Sequence, residues 1–324
     1  MQRLVIRLTF SSGLLVSSLL LAALTLAVPA HAADPVSLNQ VPVPEPVNLA
    51  KFVVDKNAAI RLGKALFWDM QLGSDGLTAC ATCHFHAGTD NRTRNTLHTG
   101  GDGKFDNGNS RANADLSLTD FPFVRFVDAV DRTTARTERD DRIGAQGVNK
   151  TQFLGIVKGQ DKDPGRIVRD GTFHSNGRNV RQSTGRNAPT TINAVFNFAN
   201  FLDGRANHYF NGVNPFGIMD VEARVYRNDG TALVPISLVN DLQNNPWALD
   251  NASLASQAVG PPLNDVEMSW GGRSWPDLGR KMLALKPLAK QAVHASDSSL
   301  ATLRDLPLPR RYRQPYPQHP ARRR

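Results

Sequence analysis

Five consecutive residues, Cys80-Ala81-Thr82-Cys83-His84, constrain this 324-residue chain more than any other stretch, and they hold both of its cysteines. C-x-x-C-H is the pattern that ties a haem covalently to a polypeptide. Two thiolates add across the two vinyl groups at one edge of the porphyrin, and the turn that follows points the His84 imidazole at the iron. The competing reading of the same cysteines is a redox-active C-x-x-C or a short-loop disulfide. That reading leaves His84 without a role, and the flanks lack a thioredoxin-like βαβ pattern.

The N-terminus reads as a secretory signal over residues 1–32. Arg3 and Arg7 form a basic start, an apolar run extends from Gly13 to Val28, and Ala30-His31-Ala32 offers a cleavage site. The apolar run falls short of the about 20 residues that a spanning helix needs, so no stable membrane insertion is expected after cleavage. Export to the periplasm fits the haem motif, because bacterial c-type haem is attached beyond the inner membrane. The formal charge of +9 does not point to nucleic acid. Arg3 and Arg7 leave with the signal, six arginines crowd the acid-free stretch Leu306 to Arg324, and the body between is close to neutral.

Along the body, residues 33–50 form an extended arm rich in proline and valine, and residues 51–300 form the haem domain. Ala59, Leu62, Leu66 and Phe67 recur at helical spacing and predict an amphipathic helix over Asn57 to Trp68. Weaker helical patterns cover Phe121 to Val130 and Ala188 to Phe201. A last helix is expected over Trp275 to Val293, with Pro287 kinking it or ending it early. Gly88 to Ala114 reads as a long loop. Within it, Gly100 to Asn109 mimics an acidic calcium loop but lacks the regular spacing and closing glutamate, which favours a solvated turn. No alternating apolar strands and no internal repeat are evident, so the expected fold is mainly α: a c-type cytochrome-like haem domain with long irregular loops. Residues 301–324 read as a disordered basic tail, either a tether for acidic partners or out-of-frame sequence from an interrupted longer gene.

Several segments behind the motif carry a family resemblance. Leu62-Gly63-Lys64-Ala65-Leu66-Phe67-Trp68-Asp69, Arg186-Asn187-Ala188-Pro189-Thr190, Asp203-Gly204-Arg205-Ala206 and the run from Gln257 to Met268 occur in order. The chain resembles the bacterial di-haem cytochrome c peroxidases, including MauG-type enzymes, over roughly residues 50–300. The resemblance implies the half that holds the peroxidatic haem, with no counterpart here of the second C-x-x-C-H half. An insertion relative to compact members occupies about residues 207–256.

What the resemblance implies is specific to positions. Cys80 and Cys83 would carry one covalent haem c, and His84 would be its proximal ligand, with the second ring nitrogen held by a carbonyl or water. Glu267 matches the carboxylate that moves a proton between the peroxide oxygens, and Gln257 would position the peroxide. Taken alone, Glu267 reads rather as a surface salt-bridge partner and Gln257 as a helix-surface amide, and only the surrounding motif favours the catalytic roles. Arg186 and Arg205 would bind haem propionates or form structural salt bridges. Asn187 matches a contributor to an interdomain calcium site. Asn179 stands where compact members place a distal histidine, and His174 nearby could substitute as a ligand if the loop bends differently. Leu202 stands where the family usually has a tryptophan between the haems.

The implied activity is periplasmic reduction of hydrogen peroxide with electrons from a small donor protein such as a cytochrome c or cupredoxin. The alternatives are a mono-haem electron-transfer protein or inactive haem-binding fragment, and a MauG-type oxidase. A pyridine haemochrome spectrum of protein exported to the periplasm is expected to be that of a c-type haem. Haem that extracts freely into acidic acetone would refute covalent attachment.

Overall fold

Turn chemistry sets this architecture. The sequence holds 25 glycines and 20 prolines, and asparagines such as Asn95, Asn176 and Asn193 take positive φ, a conformation their short polar side chains tolerate. The computed structural model describes residues 36–107, 111–131, 133–137 and 140–301. The signal peptide expected over residues 1–32 and the expected tail beyond Ala301 lie outside the described residues. The chain divides into two units, Met1–Val43 and Pro44–Arg324. In the first, the described residues include a short 3₁₀ turn at Leu38–Gln40.

The second unit overturns the mainly α expectation. Its described residues contain three α-helices, α1 (Lys56–Trp68), α2 (Ser253–Ala258) and α3 (Trp275–Leu283). Around them lie five two-stranded antiparallel sheets. The first pairs β1 (Leu97–His98) with β4 (Arg142–Ile143). The others are β2 (Arg125–Phe126) with β3 (Ala135–Thr137), β5 (Thr151–Phe153) with β6 (Gly165–Ile167), β7 (His174–Ser175) with β8 (Arg178–Asn179), and β9 (Val225–Asn228) with β10 (Leu233–Ile236). Strands of two to four residues are too short to display a period of two, which is why the sequence pattern misses them. The two weak helical patterns fail for the same reason in reverse. Phe121 to Val130 contains β2, and Ala188 to Phe201 contains only a 3₁₀ turn at Ala194–Phe196.

The strong helical pattern is realised. α1 starts where the Asp55 carboxylate accepts a hydrogen bond from Ala58 N at 2.9 Å. α3 starts at a capping box between Ser274 and Asp277. It stops at Leu283, earlier than expected, because the chain turns at Ala284 to bury Leu285. Leu278, Met282 and Leu285 join Leu72 and Met268 in the main core, with Leu66, Cys80 and Trp275 packed against it. Residues 207–256 contribute all of a second cluster, Leu238, Leu249 and Ala252, flanked by residues that include Phe210, Val225 and Ile236. No described helix is long and apolar enough to cross a membrane.

A buried ion triad bolts the main core together. Asp163 accepts from Arg273 at 3.0 Å and pairs with Lys281 Nζ at 2.9 Å, all three side chains being 0–1% exposed. Arg273 also donates to the carbonyls of Leu72 and Pro262 and to Ser269 Oγ. Lys281 donates to the carbonyl of Gly73 at 2.8 Å. The two cations therefore tie the loop before the haem motif to the segment that carries Glu267. Burial pushes the pKa of both cations down, and the Asp163 charge opposes it. Asp163→Asn should lower the unfolding free energy by about 3–5 kcal/mol, since it strands two buried cations. Lys281→Met, which leaves the Arg273–Asp163 pair intact, should cost less. Urea midpoints measured on both variants check the order.

Candidate haem site

The haem motif folds locally. Cys80–Thr82 form one 3₁₀ turn, closed by bonds from Cys83 N and His84 N to the Cys80 carbonyl. Thr82 Oγ1 accepts from Ala79 N at 2.9 Å, which ties the turn's start to its third residue. The two cysteines are not bonded to each other and are half-buried. Cys80 Sγ lies 4.0 Å from Met268 Sδ at the core, whereas Cys83 Sγ lies 3.4 Å from the Gln146 carbonyl oxygen. Burial pushes the Cys80 thiol up to about 11 and raises that of Cys83 as well, with Arg92 opposing the second shift. A redox-active pair needs at least one depressed thiol, so these values argue against the thioredoxin-like reading.

His84 has a defined second partner. Its Nδ1 lies 2.7 Å from the carbonyl oxygen of Pro189, which only accepts, so Nδ1 is the donor and, in the neutral imidazole, Nε2 is the nitrogen with the lone pair. That is the state in which an imidazole ligates iron, and the donor set therefore fits a haem bound through Cys80, Cys83 and His84. Pro189 is placed by the residues just before it. Asn187 Nδ2 donates to the carbonyl of Asp90, and Asp90 N donates to the carbonyl of Ala188. The segment Arg186 to Thr190 is thus stitched to the chain immediately after the motif. Asn187 Oδ1 is buried without a hydrogen-bond partner.

Glu267 sits on a tight turn. Asn264 Oδ1 accepts from Val266 N and Glu267 N, and the Asn264 carbonyl accepts from Met268 N and Ser269 N. Ser74 N donates to the Met268 carbonyl at 2.8 Å, joining this turn to the loop before the motif. Burial raises the Glu267 pKa, and the Arg205 guanidinium pulls the other way. The Glu267 charge in turn raises both cysteine thiols, which places the carboxylate within electrostatic reach of the motif.

The remaining residues divide. Gln257 is half-buried on α2, and its side-chain amide has no hydrogen-bond partner among the described residues. Arg186 and Arg205 converge on Asp203, at 3.5 and 2.7 Å, and Arg205 also stacks on Phe201 with 4.0 Å from Cζ to the ring centroid. Leu202 is 89% exposed beside them. His174 is exposed in the β7–β8 hairpin opposite Asn179. The Asn179 amide secures that region by accepting from Asp170 N and donating to the Val168 carbonyl. Among the described residues, no hydrogen bond, ion pair or ring contact joins either residue to the motif.

Sequence reasoning missed Arg92. Its guanidinium stands 3.5 Å from Cys83 Sγ, anchored by hydrogen bonds to the buried Asp90 carboxylate. The spacing Asp90-x-Arg92 just after the motif is the one available signal. The acidic loop after Gly100 does gather ligand-type atoms. One oxygen each of Asp102, Asp106 and Asp140 lies within 4.8 Å of the others, and Asp140 accepts from the backbone N–H groups of Gly101 and Asp102.

Comparison with known proteins follows this geometry. A family model described as di-haem cytochrome c peroxidase matches residues 57–140 and 162–298, more than half of the chain. The matched stretches include the haem motif, Asn187, Gln257 and Glu267. No curated protein and no solved structure matches the chain. The family implies a haem cofactor, peroxide as substrate and redox partners in general. With a thiol pair, a histidine held through Nδ1 and a carboxyl whose charge reaches both thiols, and with that match, the chain belongs to the di-haem cytochrome c peroxidase family, whose chemistry is that of a haem peroxidase-type oxidoreductase.

Proposed function

We propose that this chain is a periplasmic peroxidase that carries one covalent haem c and reduces hydrogen peroxide to water with electrons from a small donor protein. The observation that carries the reading is that Glu267, whose pKa burial raises, stands within electrostatic reach of both cysteines of the motif, whose His84, 183 residues earlier in sequence, donates Nδ1–H to Pro189. When bound, haem supplies the iron through which two electrons reach the peroxide. Everything else is done by side chains. His84 presents Nε2 while Pro189 holds Nδ1–H, which strengthens the imidazole as a donor.

Glu267 takes the proton from one peroxide oxygen and delivers it to the other, so that the O–O bond breaks with water as the leaving group. Two electrons and two protons per peroxide give two waters. A carboxyl whose pKa burial raises performs both transfers better than one of ordinary acidity, because it holds the proton more readily between them. Gln257, with its amide uncommitted, orients the peroxide. The export pattern of Arg3, Arg7 and Ala30 to Ala32 supports the periplasmic location. The unpartnered Asn187 Oδ1 supports a calcium ion there, since a buried carbonyl oxygen lacking a donor is a ligand for a hard cation.

Glu267→Gln should reduce peroxide turnover by about 10²-fold or more with haem content unchanged. Wild-type turnover in that variant would refute the acid–base role. The same substitution has a stability readout. Because the native pKa of Glu267 lies above its unfolded value, the native state holds the proton longer as pH rises. Stability therefore declines as pH climbs through the window from the ordinary glutamate value to the native one. Glu267→Gln should abolish that decline, as read from thermal midpoints measured across pH 4–7.

A further inference from the structure

The turn that carries Glu267 is held by a segment that also touches the haem motif. We propose that Gln182 and Gly147 are positioning residues that fix where the Glu267 carboxyl stands relative to the Cys83 sulfur. The inference rests on the peroxidase reading of Glu267. Its material is the tripeptide Gln146-Gly147-Val148, which lies in the stretch 141–161 that the family pattern does not cover.

On one side, the Gln146 carbonyl meets Cys83 Sγ at 3.4 Å. On the other, Val148 N donates to the Val266 carbonyl at 2.8 Å. Between them, Gly147 packs backbone against backbone. A Cβ there would lie 1.7 Å from Val266 O and 3.2 Å from Glu267 Cα, so any side chain would push the Glu267 turn away. The distance from sulfur to turn is therefore set by main chain, which bends little.

Gln182 locks this bar. Its backbone accepts from Gly147 N at 2.8 Å and donates to the Val148 carbonyl at 3.0 Å. Its side chain, in a residue 8% exposed, donates to the carbonyls of Asp265 at 2.9 Å and Val148 at 3.2 Å. Among the described residues, this is the one hydrogen bond that the Asp265 carbonyl receives. One buried amide thus spans the tripeptide and the Glu267 turn. Proton delivery demands such rigidity, since a displacement of about 1 Å at a reacting group can cost 10²-fold.

The test is a double-mutant cycle in the haem-loaded protein. Gln182→Met keeps the length of the side chain and removes its donors. Two quantities are read in wild-type and Glu267→Gln backgrounds: peroxide turnover, and the affinity of the ferric protein for fluoride by absorbance. Fluoride affinity reports a proton donor at the ligand site and needs no turnover. Gln182→Met alone should lower kcat and fluoride affinity by about 10-fold each, with KM for the electron donor unchanged. In the Glu267→Gln background it should lower neither further, because its route of action is already gone.

Losses that multiply in the double variant would show a merely structural role and overturn the proposal. So would wild-type behaviour of Gln182→Met beside an impaired Glu267→Gln. An unimpaired Glu267→Gln would instead sink the peroxidase reading of that residue, and this inference with it. Gln182→Asn, whose shorter amide cannot span to Asp265, is read the same way should Gln182→Met fail to accumulate.

Discussion

Asp163 is the fixed point of this structure. A carboxylate 1% exposed holds one arginine and one lysine that are wholly buried, and burying such charges is tolerated only where each is paired and hydrogen-bonded. The requirement is met by spending the remaining donors on carbonyls of Leu72, Gly73 and Pro262. Those carbonyls belong to the two segments that must meet for the site to exist, the loop entering the haem motif and the approach to Glu267. A protein built largely of turns has little helix-on-helix packing to set such distances. Here a polar knot does so, at a place where α3 supplies Lys281 and the chain just before α3 supplies Arg273.

The site itself is assembled at three levels. The cysteines and His84 are close because one 3₁₀ turn makes them so. His84 is oriented by the Pro189 carbonyl, 105 residues away, and Pro189 is in turn placed by Asp90 through Asn187 and Ala188. Glu267 is brought in from a third segment, 183 residues beyond His84 in the sequence. Its raised pKa follows from burial against this assembly, with Arg205 as the opposing charge. Arg205 and Arg186 both pair with Asp203.

Legibility in the sequence tracked the range of the interactions. The haem motif was legible because its chemistry is contained in five residues, and α1 because thirteen residues suffice for a helical stripe to show, although its Asp55 cap was not read. The hairpins were not, since strands of two to four residues carry no period, and their absence from the pattern led to the mainly α expectation that the sheets overturn. Glu267 and Gln257 were legible through family resemblance alone, because a single carboxyl or amide looks like any surface residue. Gly147 and Gln182 carried no signal, and Arg92 only its spacing from Asp90 just after the motif. Their roles lie in what they touch, and Gln182 touches Asp265, 83 residues away.

By itself, then, the sequence determined the covalent chemistry available to the chain: two thiols and an imidazole at haem-attaching spacing, in a body without the charge of a nucleic-acid binder. Tertiary structure decided the rest. Which carbonyl fixes the histidine tautomer, which cation stands at the Cys83 sulfur and how far the glutamate proton is withheld from water all depend on contacts between distant segments. The physical reason is that tautomer and pKa are properties of an environment, and an environment exists only once the chain has closed around it.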